Sequence, residues 1–384
     1  MEDQIVKGNN KFSIDIFQAM KTPEENLFFS PLSIYTLLSM VFAGARGLTE
    51  TQIKTVLHIK LDQVRFHSEY KKLLSVFQRD IGSELSMANL LCVHKKYQLL
   101  EKYLWIVEDT YGGTIWNLDF NAIPETCLKI NTWVAEHTQG KIKNVIHTLK
   151  EDDGFVLVNA IYFKGTWENL FKEKDTKEEN FTLLSGDKIL VPMMHQKEKF
   201  RWINEDGFQI LEMPYKGIRI FGSLEHISMI IFLPEKKDGI EDLENSLTNE
   251  KIENYLEKLH KIWEKEINIY FPKFKIEKGY ELKKILHNLG MTSAFSEGVN
   301  FSKIAEDPPK YISQIIHKAF VEVNERGTEA AAVTALRVLG ATIGPTVKPP
   351  DFRADHPFIF LLIDSYTRAI LFIGRVVNPK PKKN

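Results

Sequence analysis

Residues 325–338 read ERGTEAAAVTALRV. Taken in steps of two from Thr328, they give Thr328, Ala330, Ala332, Thr334, Leu336 and Val338; none is charged and the first four are small. The other parity holds Glu329, Ala331, Val333, Ala335, Arg337 and Leu339, so both charges fall on one side. Side chains alternate between the two faces of a strand, so the pattern predicts a strand with one buried and one wetter face. Yet it runs straight into GATIGPTVKPP at 340–350, whose Gly, Pro and Thr content reads as exposed loop. A loop patterned for burial as a strand predicts a segment with two conformational states.

The rest of the chain sets the frame. Its 384 residues carry 50 Lys plus Arg against 51 Asp plus Glu, a net charge of -1, so no global field favours nucleic acid or an anionic membrane. The basic tail at 380–384 is short and reads as a solvated terminus. The two cysteines, Cys92 and Cys127, form neither a disulfide framework nor a metal-binding spacing, and each is expected to be a buried free thiol. The longest apolar run, at 358–363, is too short to span a bilayer. Two glycosylation sequons begin at Asn180 and Asn300.

Apolar periodicity predicts helices around Phe12 to Met20, with Asn9 or Asn10 as cap, and from Ser30 with Pro31 in its first turn, ended by Gly44 and Gly47. Further helices are expected at 62–77, 124–138, 249–259 and around Leu282 to Leu289. Strands are expected from the middle onwards, at 155–163, 226–233, 266–271, 313–323, 358–363 and 369–377. Helices first and strands later, without a regular βαβ alternation, predicts an α+β domain with large sheets over residues 1–384.

Five long segments carry a family resemblance: NLFFSPLSIYTLLSMVFAGARG at 26–47, LVNAIYFKGTW at 157–167, ISQIIHKAFVEVNERGTEAAA at 312–332, DHPFIFLLID at 355–364 and ILFIGRVVNP at 370–379. The chain resembles the serpins over nearly its whole length. The resemblance implies three β-sheets, eight or nine helices and an exposed reactive-centre loop at about 325–350. It implies a monomer that traps a target serine protease as a suicide substrate, inserting the cleaved loop into the central sheet while the acyl-enzyme is still covalent. It implies no catalysis by this chain and no cofactor or metal. The chain also lacks the G-x-S-x-G, H-E-x-x-H, Cys-x-x-Cys and G-x-G-x-x-G patterns of enzymes.

Serpins also include non-inhibitory binding, carrier and chaperone proteins, so the insertability of the loop matters. Its inserting face, Thr328, Ala330, Ala332 and Thr334, has no charge, no proline interrupts 328–341, and Gly327 offers hinge freedom. Counting fourteen residues on from that glycine, as in typical members, puts the reactive bond between Ala341 and Thr342. A small residue there suits an elastase-like pocket; a shifted bond at Leu339 or Arg337 would point to chymotrypsin-like or trypsin-like targets. By resemblance, Ser30, Ser33, Asn159 and His317 form a hydrogen-bonded cluster governing strand separation, with Trp167 where the sheet opens. Glycosaminoglycan binding would use the 62–77 helix with Arg65, His67, Lys71 and Lys72, but Asp62 and Glu69 dilute it to a mixed solvated face. A start shortly before the first helix resembles the intracellular branch, giving a cytoplasmic expectation, with secretion as the alternative.

Overall fold

The computed structural model describes residues 4–77, 79, 82–151, 153–220, 223–328 and 348–380. Among these, nine α-helices accompany three sheets of nine, six and two strands, an α+β architecture.

The six-stranded sheet is the centre of the molecule. Across it lie Phe274–Glu281, Gln314–Asn324, the short Gly327–Thr328, Phe155–Thr166, Ser83–His94 and Thr114–Leu118. Phe155–Thr166 is apolar almost throughout because both of its faces are covered. Val156, Val158, Ala160 and Tyr162 pack with Cys127, Ile130 and Val134 of helix Ile123–His137. Leu157, Ile161 and Phe163 face the main core, which includes helix Pro31–Gly44. Cys92, on strand Ser83–His94, and Cys127, on helix Ile123–His137, are both free and buried in the layer between that helix and the sheet.

Helix Pro31–Gly44 is buried along its whole length. Ser30 starts it from an extended backbone, its side chain accepting from the Ser33 amide, and Pro31 follows where no amide hydrogen is needed. The helix can approach its neighbours closely at its end because Gly44 has no side chain; a Cβ there would sit 2.1 Å from Ile304 Cγ1. The nine-stranded sheet runs Leu27–Phe29, Ile370–Val376, Phe358–Asp364, Ile227–Pro234, Phe208–Pro214, Lys188–Glu205, Lys265–Pro272, Asp351–Arg353, with Lys177–Thr182 beside Lys188–Glu205.

Three sequence expectations need correction. Asn9 and Asn10 do not cap a helix: they lie inside helix Gln4–Met20. Their amides donate at 3.0 Å to the carbonyls of Ile370 and Arg368, tying the first helix to the last hairpin. Gly47 does not end a helix but opens the next, Gly47–Val56, after a turn in which its φ is 59°. Strands are not confined to the second half, since Ser83–His94 and Thr114–Leu118 complete the central sheet. Their signal is weak because the sequence passes from alternation at Ser83 to Met87 into a continuous buried run at Leu90 to Val93.

Candidate functional site

The two strands at the middle of the central sheet are parallel neighbours over only part of their length. Gln314 pairs with Val156, and the register continues to Phe320 opposite Tyr162. Beyond that point the strands part, and Gly327–Thr328 occupies the gap. It is antiparallel to both neighbours: Thr328 lies opposite Val323 and Gly165, Gly327 opposite Asn324 and Thr166. The segment quoted first therefore begins as a strand inside the sheet. Ala330, Ala332, Thr334, Arg337, Leu339, Ala341 and Thr342 lie outside the described residues.

Gly327 can hold this place because it is glycine. Its φ is 139°, and a Cβ would lie 2.1 Å from the Gly165 carbonyl oxygen and 2.9 Å from the Trp167 nitrogen. Beyond the hinge freedom expected from the sequence, the glycine thus permits a close backbone approach. Thr328 is fully buried, and its hydroxyl is 2.8 Å from that of Tyr215. Burial drives the Tyr215 pKa well up, so its hydroxyl stays protonated.

Trp167 roofs this point. Its ring stacks on Tyr215 at 4.3 Å with 14° between planes, its Nε1–H donates to the Asn324 carbonyl at 3.0 Å, and its amide donates to the Arg326 carbonyl at 2.9 Å. Two residues before Gly327, the buried Glu325 carboxylate takes a 2.8 Å ion pair from Lys273 and a 2.8 Å hydrogen bond from Thr176. Burial alone would raise the Glu325 pKa; the hydrogen bonds from Lys273, its own backbone and Thr176 outweigh it and hold the carboxyl below its usual value.

Lower down, where the strands are still joined, the structure brings Ser30, Ser33, Asn159 and His317 together. The Ser30 amide donates to His317 Nε2 at 3.1 Å, which leaves the ring proton on Nδ1, donated to Asn159 Oδ1. Asn159 Nδ2 donates to Ser33 Oγ and, at 2.6 Å, to Asn89 Oδ1; Ser30 Oγ donates to the Leu371 carbonyl at 2.6 Å. Burial lowers the His317 pKa to about 3, so the imidazole is neutral at ordinary pH. One polar network thus links two central-sheet neighbours, a third strand and the buried helix across the seam.

Sequence reasoning missed Asn89, Tyr215, Lys273 and Thr176. Only Asn89 carried a signal, a lone amide in an apolar strand; the others act through partners far away in the chain. On helix Gln63–Phe77 the cations are matched by carboxylates: Arg65 with Asp62 at 3.8 Å, Lys72 with Glu69 at 2.7 Å and Lys71 with Asp109 at 2.7 Å. His67 turns inward against Tyr111, and burial, aided by Arg46, lowers its pKa to about 4. These residues do not form an open cationic stripe.

A model of the family described as Serpin (serine protease inhibitor) matches residues 7–379. Serpin B3 of Homo sapiens is 37% identical over 401 aligned residues, covering 98% of this chain and 100% of that protein. Leukocyte elastase inhibitor of Sus scrofa is 38% identical over 395, again covering 98% and 100%. The solved structure of human thyroxine-binding globulin superposes with a TM-score of 0.88 at 30% identity, covering 99% of each chain.

Proposed function

This chain belongs to the serpin family, and from that membership and the geometry of its hinge we propose that it inhibits a serine protease as a suicide substrate. The target's serine attacks the Ala341 carbonyl carbon and expels the amino group of Thr342, leaving an ester between the two proteins. The freed strand then continues from Thr328 into the seam between Gln314–Asn324 and Phe155–Thr166, carrying the protease with it.

The observation that carries this reading is the placement of Gly327 and Thr328 between two strands that part just below them. Extending that strand needs side chains that can enter a dry core. A charge on the inward face would cost several kcal/mol, whereas Ala330, Ala332 and Thr334 carry none. The small side chain of Ala341 favours an elastase-like target, and relatives named leukocyte elastase inhibitor agree with that choice. A bond shifted to Leu339 or Arg337 would instead favour chymotrypsin-like or trypsin-like enzymes. A carrier role is the second reading, since thyroxine-binding globulin shares the fold and is by its name a binding protein.

Mixing the protein with elastase, chymotrypsin and trypsin separates the two. The inhibitory reading expects a complex that survives boiling in SDS with at least one enzyme, and a released C-terminal peptide beginning at Thr342. Clipping by every enzyme without a complex, and with no rise in melting temperature of the cleaved form, would sink it.

A further inference from the structure

We propose that Tyr215 is a positioning residue that sets how far the loop is drawn into the sheet before a protease arrives. Its kinetic consequence rests on the inhibitory reading above; its structural consequence does not.

The Gly327–Thr328 strand is too short to be held by its ladder alone. Fixing each residue's backbone costs about 1–2 kcal/mol, and only two register pairs on each side oppose that cost. Thr328 also brings a hydroxyl into a fully buried place, where leaving it unpaired would cost about 1–3 kcal/mol. The Tyr215 hydroxyl, 2.8 Å away, meets that need.

Tyr215 can do so because its ring has no freedom to turn aside. Trp167 stacks on one face, and Phe163 meets the ring edge-on at 5.0 Å and 76°. Its amide is tied to the Ile227 carbonyl at 2.9 Å, and the Lys216 amide that follows donates to the Thr166 carbonyl at 2.7 Å. Gly165, the residue opposite Thr328, leaves the space: a Cβ there would sit 2.7 Å from Tyr215 Cδ1. Trp167 also grips Asn324, on the strand just before the hinge. The aromatic pair therefore holds both the hinge and the strand it leaves.

Two opposite effects on inhibition follow. Retaining Gly327 and Thr328 shortens the part of the loop that can bend towards a protease, which slows docking. The same retention gives the cleaved strand a formed starting point, which favours trapping over hydrolysis of the ester. Tyr215 sets the balance between them.

The test is a double-mutant cycle of Tyr215→Phe, Thr328→Val and both together. Either single change strands one buried hydroxyl; the double change leaves an apolar pair and relieves it. Amide hydrogen exchange of a peptide covering residues 324–328 is expected to speed up about tenfold in each single variant and to return close to the parent in the double. With elastase, each single variant is expected to associate severalfold faster yet to need more inhibitor per complex formed, again with recovery in the double. Equal exchange in all four proteins overturns the assignment. Altered exchange with unaltered association and stoichiometry overturns its kinetic part. A parent protein that forms no complex removes the inhibitory reading, while the exchange cycle still decides the role of Tyr215.

Discussion

His317 and Asn159 are hydrogen-bonded to each other across the parallel seam, directly opposite in register, at the place where a new strand would have to pass. His317→Ala leaves the Asn159 oxygen and the Ser30 amide without this partner, at about 1–3 kcal/mol for each buried group. The variant is expected to unfold at lower urea and to form polymers on gentle heating, seen on native gels. An unchanged urea midpoint with no polymer would remove the cluster from control of the seam.

The same burial gives a pH dependence. His317 and His67 titrate near 6.5 when unfolded but at about 3 and about 4 when folded. The unfolded chain therefore takes up their protons first, so their contribution to stability is complete above pH 6.5 and is lost as pH falls towards those folded values. Each adds a slope approaching about 1.4 kcal/mol per pH unit below 6.5. Urea midpoints between pH 6.5 and 5 should fall more gently for His67→Gln and His317→Gln than for the parent. Parallel slopes would contradict the burial account.

Glu325→Lys would set two ammonium groups where a 2.8 Å ion pair now anchors the base of the hinge. Lys273 keeps some contact with solvent, so losing the pair is expected to cost about 1–3 kcal/mol rather than the larger value of a fully enclosed one. The expected result is faster exchange at 324–328 and polymer formation at 37 °C. Adding Lys273→Glu should restore part of the loss, and a double variant as unstable as the single would argue against the pair.

The proposed insertion would continue the register beyond Thr328 and give Thr334 a role in the cleaved form. Antiparallel to both neighbours, as Gly327 and Thr328 already are, an inserted strand would bring Ala330 opposite Phe163, Ala332 opposite Ile161 and Thr334 opposite both Asn159 and His317. Such an insertion would break the His317–Asn159 bond, and the Thr334 hydroxyl could then accept from His317 and donate to Asn159. Thr334→Val is therefore expected to raise the inhibitor consumed per complex severalfold while leaving the unfolding free energy of the uncleaved protein within about 0.5 kcal/mol of the parent. Equal stoichiometry would mean that another group satisfies the parted pair.

Much of this was legible in the sequence because the signals were local. Ser30 and Pro31 marked a helix start, and the unbroken apolar run from Phe155 marked a strand covered on both faces. Thr328 showed its parity, though not its partner. What stayed hidden depends on tertiary approach: Asn9 and Asn10 look like caps until the last hairpin passes beside them. Tyr215 looks like any core tyrosine until Gly165, fifty residues earlier, makes room for its ring. Glu325 and Lys273 are charges of ordinary appearance, fifty-two residues apart, that only folding brings into one half-buried pair.

The seam between Gln314–Asn324 and Phe155–Thr166 is a parallel ladder in a place that could hold two antiparallel ones. If the proposed insertion is the molecule's working stroke, the uncut form is not the bottom of its own energy surface, and its persistence is a matter of elapsed time. Such a protein is described by a half-life rather than by an unfolding free energy. Every residue that ties the seam shut, His317 and Asn159 first among them, then acts as a brake on ageing.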